Sequence, residues 1–145
     1  MRFRPWLLIP TAAYLALVGW ITLGPQPYGD TGSGLLRRAL ALFSQSPATG
    51  WLTFSRVEGL ANVALFVPLG LLLALALPRR AVVVAVIACV GLSAGIEAFQ
   101  GAYLPTRVDD VRDIVHNGLG GLIGAALATA ARLAVAPSGR LLRRV

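Results

Sequence analysis

The chain has 145 residues, of which 57% are hydrophobic and only 13% charged, with a formal net charge of +7. Soluble domains run nearer about 45–50% apolar and about 25% charged, so this composition excludes an ordinary soluble domain and points to a membrane protein of single-domain length. Every basic residue is arginine. They cluster between apolar runs as a positive-inside pattern requires, and with no basic face or aromatic platform nucleic acid is not an expected partner.

The first apolar run covers residues 5–23, WLLIPTAAYLALVGWITL after Pro5, with Arg2 and Arg4 before it. A span needs about 20 apolar residues. A basic start followed by an apolar run also resembles a signal peptide, but this run is too long for a signal core and ends without a small-residue cleavage site. A retained span is expected.

Residues 25–57 form the longest connection. GPQPYGDTGSG is rich in Gly and Pro, a loop signature. In the stretch that follows, Leu36, Ala39, Leu40 and Phe43 repeat at i, i+3, i+4, i+7, one face of a helix too short to span. It reads either as an amphipathic helix in the membrane interface or as a cap over the bundle. Trp51 and Phe54 fit the headgroup level.

The second span is expected over residues 60–77 and contains Pro68 and Gly70, which membrane helices tolerate. Pro78, Arg79 and Arg80 end it, and a third span over 81–100 follows at once, so the two form an antiparallel hairpin. The single cysteine, Cys89, lies in this run and reads as a small packing hydrophobe. Residues 101–112, GAYLPTRVDDVR, form a charged loop, and the fourth span covers 114–136.

The fold class is therefore all-α, a bundle of four transmembrane helices with short loops and an amphipathic interfacial helix between spans 1 and 2, in one membrane domain. Eight arginines fall on the side carrying both termini and five on the other. That bias places both termini on the cytoplasmic side, with the 25–57 loop outside the membrane.

Ionisable residues inside spans are expensive and usually face the bundle interior. Here they gather at one depth. Ser93, Glu97 and Gln100 share one face of the third span; Glu58 and Asn62 are i, i+4; Asp110, Asp113 and Asn117 are i, i+3, i+7. Facing one another, these stripes would line a cleft open to the outer surface, with Arg107 as the positive partner. Gly120, Gly124 and Ala128 on the fourth span, and Gly91 and Gly95 on the third, are strips that let helices approach closely or leave a groove for a lipid chain.

Two segments carry a resemblance. ANVALFVPLG and IEAFQGAYLPTRVDDVRDIVHNGLGGLIG resemble the signature of the VanZ-like family, over about residues 60–125. The matching positions are Glu97, Gln100, Arg107, Asp110, Asp113, Asn117, Gly118 and Gly121. The resemblance implies a small bacterial cell-envelope membrane protein, from a group named for an association with teicoplanin-type glycopeptide resistance. It implies no particular reaction.

Three readings of the cleft stand side by side. Glu97, Arg107 and Asp113 could pair and pin the helix ends together, since buried charges must be paired. The cleft could instead bind a lipid-linked envelope precursor or a glycopeptide, with Arg107, aided by Arg56 or Arg112, gripping phosphate through its planar fork. Glu58, Asn62, Glu97, Gln100, Asp110, Asp113 and Asn117 would complete that site. Or the chain is an intramembrane enzyme, with Glu97 and either Asp110 or Asp113 as general acid and base. Asp109, Asp110, Asp113 and His116 could hold a divalent cation, but His116 reads first as a packing residue, and no metal or cofactor is expected.

Overall fold

The computed structural model describes residues 4–24, 38, 40–42, 45–46, 49–103 and 110–135. Four long helices dominate it: α1 Leu8–Leu23, α2 Phe54–Ala76, α3 Val82–Tyr103 and α4 Val111–Ala134. Short 3-10 turns, Pro5–Leu7 and Arg79–Ala81, lead into α1 and α3. Among the described residues there is no strand. The 23 residues of α2 reach about 34 Å at 1.5 Å per residue, enough to cross a hydrocarbon core of about 30 Å.

All four helices are long and apolar enough to span. Their outward surfaces carry Ile9, Val83, Ile87, Val115 and Leu122, all exposed. Such a surface would drive association in water, and in a bilayer it meets hydrocarbon. The chain is a multi-pass membrane protein.

One end of the bundle holds the start of α1, the α2–α3 hairpin and the end of α4; we call it the termini end. The other, the loop end, holds the end of α1, the start of α2, the end of α3 and the start of α4. Two boundaries there differ from the sequence expectation. α2 begins at Phe54, six residues before the expected start at 60, because Thr53 caps it by accepting from the Arg56 amide. α3 runs on to Tyr103 and α4 starts at Val111, so the helices take up both ends of the expected 101–112 loop. Of the amphipathic segment, Arg38 and residues 40–42 are helical; Leu36, Ala39 and Phe43 lie outside the described residues, as do Arg2, Arg107, Asp109 and residues 136–145.

The tightest pair is α2 against α4, and glycine makes it so. A Cβ at Gly120 would strike the Val63 carbonyl, one at Gly124 would strike the Val67 carbonyl, and one at Gly70 the Gly121 carbonyl. Backbones this close gain van der Waals contact, the main attraction available between helices in lipid. Gly121 does the same on the other side, where a Cβ would lie 2.6 Å from Cys89 Cβ. The Gly91–Gly95 strip on α3 behaves differently: a Cβ at either position would meet nothing within 4 Å, so the strip packs against no helix among the described residues.

Val18, Phe66, Leu69, Cys89 and Ile96 form the core toward the loop end, and Ala74, Ala85, Ala125 and Ala128 a smaller core toward the termini. Hydroxyls within the spans are internally satisfied: Thr11, Thr22 and Thr129 each donate to the carbonyl four residues back. Pro68 lies inside α2 and leaves the Ala64 carbonyl without its helical donor. One residue on, the Tyr14 hydroxyl donates to the Leu65 carbonyl at 2.9 Å and ties α1 to α2.

Candidate functional site

Two groups of side chains gather at the loop end, on two faces of α4. They are set by neighbouring residues, Asn117 and His116, which point about 100° apart around the helix.

Asn117 turns toward α3. Its Nδ2 donates to Ser93 Oγ at 2.8 Å in a buried bond between helices. One turn further along α3, Glu97 is 7% exposed, and its Oε2 accepts from the Asp110 backbone amide at 3.1 Å. Asp110 is the N-cap of α4, with Oδ1 accepting from the Arg112 amide at 2.9 Å. The Glu97 carboxylate therefore sits against the start of α4, where orphan amides and the helix dipole favour an anion. Gln100 completes the stripe: its Nε2 donates to the Thr22 carbonyl at 2.8 Å, in the last turn of α1. One polar face of α3 thus holds the ends of two other helices.

The other residues of the expected cleft are placed less uniformly. Asp113 is half-buried, with its amide on the Asp110 carbonyl at 2.8 Å. Glu58 is exposed and Asn62 half-buried on α2, and Asn62 shares no hydrogen bond with the α3–α4 group among the described residues. None of Glu58, Glu97 and Asp113 is without a partner. Arg107 lies outside the described residues. Within the buried group one acceptor is unspent: Asn117 Oδ1 has no hydrogen-bond partner. Among the described residues no three His, Cys, Asp or Glu side chains come together as metal ligands; Asp109 lies outside them.

His116 turns toward α2. There a groove of about 380 Å³ is lined by Trp51, Arg56, Gly59, Leu60, Val63, His116 and Leu119. Within this lining, Arg56 Nη1 donates to the Trp51 carbonyl at 2.7 Å. The His116 ring lies on bare backbone, since a Cβ at Gly59 would fall 2.6 Å from its Cε1. Its Nδ1 is buried without a partner. The sequence reading treats His116 as a packing residue; the structure puts it in the wall of this groove. The signal that could have found it is a mixed stripe: Arg56, Gly59 and Val63 fall on one face of α2, and His116 and Leu119 on one face of α4. Looking only for stripes of polar residues passes over it.

The two groups offer different chemistry. The α3–α4 group is largely sealed, and its donors and acceptors are mostly used between helices. The α2–α4 groove is open, apolar along its length, and carries an arginine, a tryptophan and an imidazole at its polar end. That arrangement suits a ligand with an anionic head and an apolar chain.

A family model described as VanZ/LLP1 matches residues 11–132. The match runs from α1 to the last turn of α4, well beyond the 60–125 stretch that carries the motifs. No curated protein and no solved structure matches the chain.

Proposed function

Starting from the fact that the chain belongs to the VanZ/LLP1 family, we propose that it is a bacterial envelope protein that binds a lipid-linked envelope precursor at its loop end. The observation that carries this is the groove between α2 and α4, apolar below and cationic at its mouth. The precursor's phosphate meets Arg56, and Arg107 is the second cation that the sequence offers for it; Trp51 lies at headgroup level. The prenyl or acyl chain runs along Leu60, Val63 and Leu119 toward the bilayer centre. His116, with an unspent Nδ1, hydrogen-bonds the polar group. Glu97 and Asn117 hold α4, one wall of the groove, against α3.

In this reading the loop end faces outward and both termini are cytoplasmic, following the eight-to-five arginine bias. Protection against teicoplanin-type glycopeptides follows if bound precursor is withheld from the drug. A second reading, a scaffold whose polar cluster is only a clasp, is favoured by the bonds that occupy Glu97, Gln100 and Asn117.

The test is mass spectrometry of lipids that co-purify with wild type, Arg56→Ala and Arg107→Ala. A prenyl-phosphate or lipid-linked precursor carried by wild type and lost from both stable variants supports the binding site. A chemically altered form of it that builds up with time moves the assignment to an enzyme. Bulk phospholipid alone on all three proteins leaves the clasp reading.

A further inference from the structure

At the termini end the chain brings together cations with no acidic residue near them in the sequence. Arg132, in the last turn of α4, is 6% exposed. Its Nη2 donates to the Leu75 and Leu77 carbonyls at 2.7 and 2.9 Å, the rim that α2 leaves unpaired at its C-terminus. Arg4 sits on the same rim, with its backbone amide on the Ala76 carbonyl at 3.1 Å. From the α2–α3 turn, Arg79 Nη2 donates to the Arg132 carbonyl at 2.6 Å. The charges of Arg4 and Arg79 both bear on Arg132.

These helix-end carbonyls carry only partial negative charge, against three full positive charges. All six acidic residues of the chain, Asp30, Glu58, Glu97, Asp109, Asp110 and Asp113, belong to the loop-end half of the sequence. Two nitrogens of Arg132, Nε and Nη1, are buried with no hydrogen-bond partner. Buried charged donors left unpaired are rare, because the cost of stripping water from them is not returned. Arg79 is exposed and Arg4 half-buried, so the cluster has a solvent- or lipid-facing rim above a sealed floor.

We propose that Arg4, Arg79 and Arg132 form an anion site at the termini end that takes a phosphate group, the headgroup of an anionic phospholipid or phosphate from solution. Arg4 and Arg79 at the rim bind the phosphate oxygens. Arg132 supplies the fixed charge beneath. Bound there, the phosphate joins the start of α1, the α2–α3 turn and the end of α4. The site is at the opposite end from the proposed precursor groove and does not depend on it.

Native mass spectrometry of protein released from bilayers of phosphatidylcholine and phosphatidylglycerol in equal amounts reads the preference directly. Wild type is expected to retain phosphatidylglycerol. Arg4→Gln and Arg79→Gln are each expected to lower that retention about fivefold, and Arg80→Gln to leave it unchanged. Arg79→Gln removes a bond to the Arg132 carbonyl and can fail to fold, but Arg4→Gln keeps its backbone bond and carries the test alone. A second arm adds inorganic phosphate to protein in phosphatidylcholine bilayers. A rise in thermal midpoint that Arg4→Gln abolishes, without phosphatidylglycerol retention, supports the site with solution phosphate as its ligand. The proposal is overturned if wild type shows neither response. It is equally overturned if Arg80→Gln costs as much as Arg4→Gln, which marks diffuse attraction to a basic end, or if only Arg56→Gln has an effect, which places the lipid in the loop-end groove.

Discussion

Asn117 donates one hydrogen bond across the α3–α4 interface and keeps a buried oxygen without a donor. Hydrogen bonds between membrane helices average about 0.6 kcal/mol and reach about 1.7 kcal/mol. Ser93→Ala leaves the Asn117 amide wholly unpaired, and a loss at the upper end of that range is expected in reversible unfolding from mixed micelles. Glu97→Gln keeps the shape but removes the charge from the start of α4; the expected loss is about 0.3–1 kcal/mol by the same measurement, reaching about 2 kcal/mol if burial strengthens the dipole interaction. A loss for Glu97→Gln no larger than that of an exposed control such as Thr53→Ser would remove the clasp role. Gly59→Ala tests the groove. Its Cβ would fall 2.6 Å from the His116 ring, so the ring must turn away, and the NMR resonances of His116 should shift while α2 stays helical. Unmoved His116 resonances would show that the ring does not rest on Gly59. The shared face of Ser93, Glu97 and Gln100 was legible from spacing alone. Their partners were not: two of the three are backbone groups, the Asp110 amide and the Thr22 carbonyl, and main-chain atoms carry no residue identity to read.

At the scale of helices, two glycine strips of similar appearance have opposite surroundings. Gly124 lies against the backbone of α2, where a Cβ would strike the Val67 carbonyl and come 2.5 Å from the Leu71 amide nitrogen. No flexible side chain can give way there, so the helices must separate. Overpacking of this kind costs about 1–3 kcal/mol or more. Gly91 meets open space, and Gly91→Ala is expected to be neutral or slightly stabilising, since alanine is the better helix former. Parallel unfolding of Gly124→Ala and Gly91→Ala decides the matter, and equal losses would contradict the packing described. Sequence spacing identified both strips, because each repeats every four residues. It could not say which one had a partner, since an isolated helix carries the same small-residue ridge whether a second helix or lipid lies against it.

For the whole molecule, the opposition of the arginine-rich termini end and the acid-bearing loop end predicts an orientation. Ser46→Cys at the loop end and Arg80→Cys at the termini end, each in a Cys89→Ala background, should differ in labelling by a membrane-impermeant maleimide on intact cells. Ser46→Cys is expected to react and Arg80→Cys to stay protected until the membrane is opened; the reverse pattern would invert the topology and remove the groove from the outer surface. The sequence by itself determined that this chain crosses a membrane four times in an all-helical fold, because hydrocarbon demands long, internally hydrogen-bonded apolar segments and the composition states where they are. It also carried the family, through side chains at spacings that cross two helices and a loop. The tertiary structure decided which faces meet. It closed the α3–α4 polar stripe into bonds with helix ends, opened a groove beside His116 and Arg56, and laid Arg132 on the carbonyl rim of α2. Each of these depends on rotation and depth of one helix against another, set by backbone contacts at glycine, and neighbouring residues such as His116 and Asn117 take different roles only once that rotation is known.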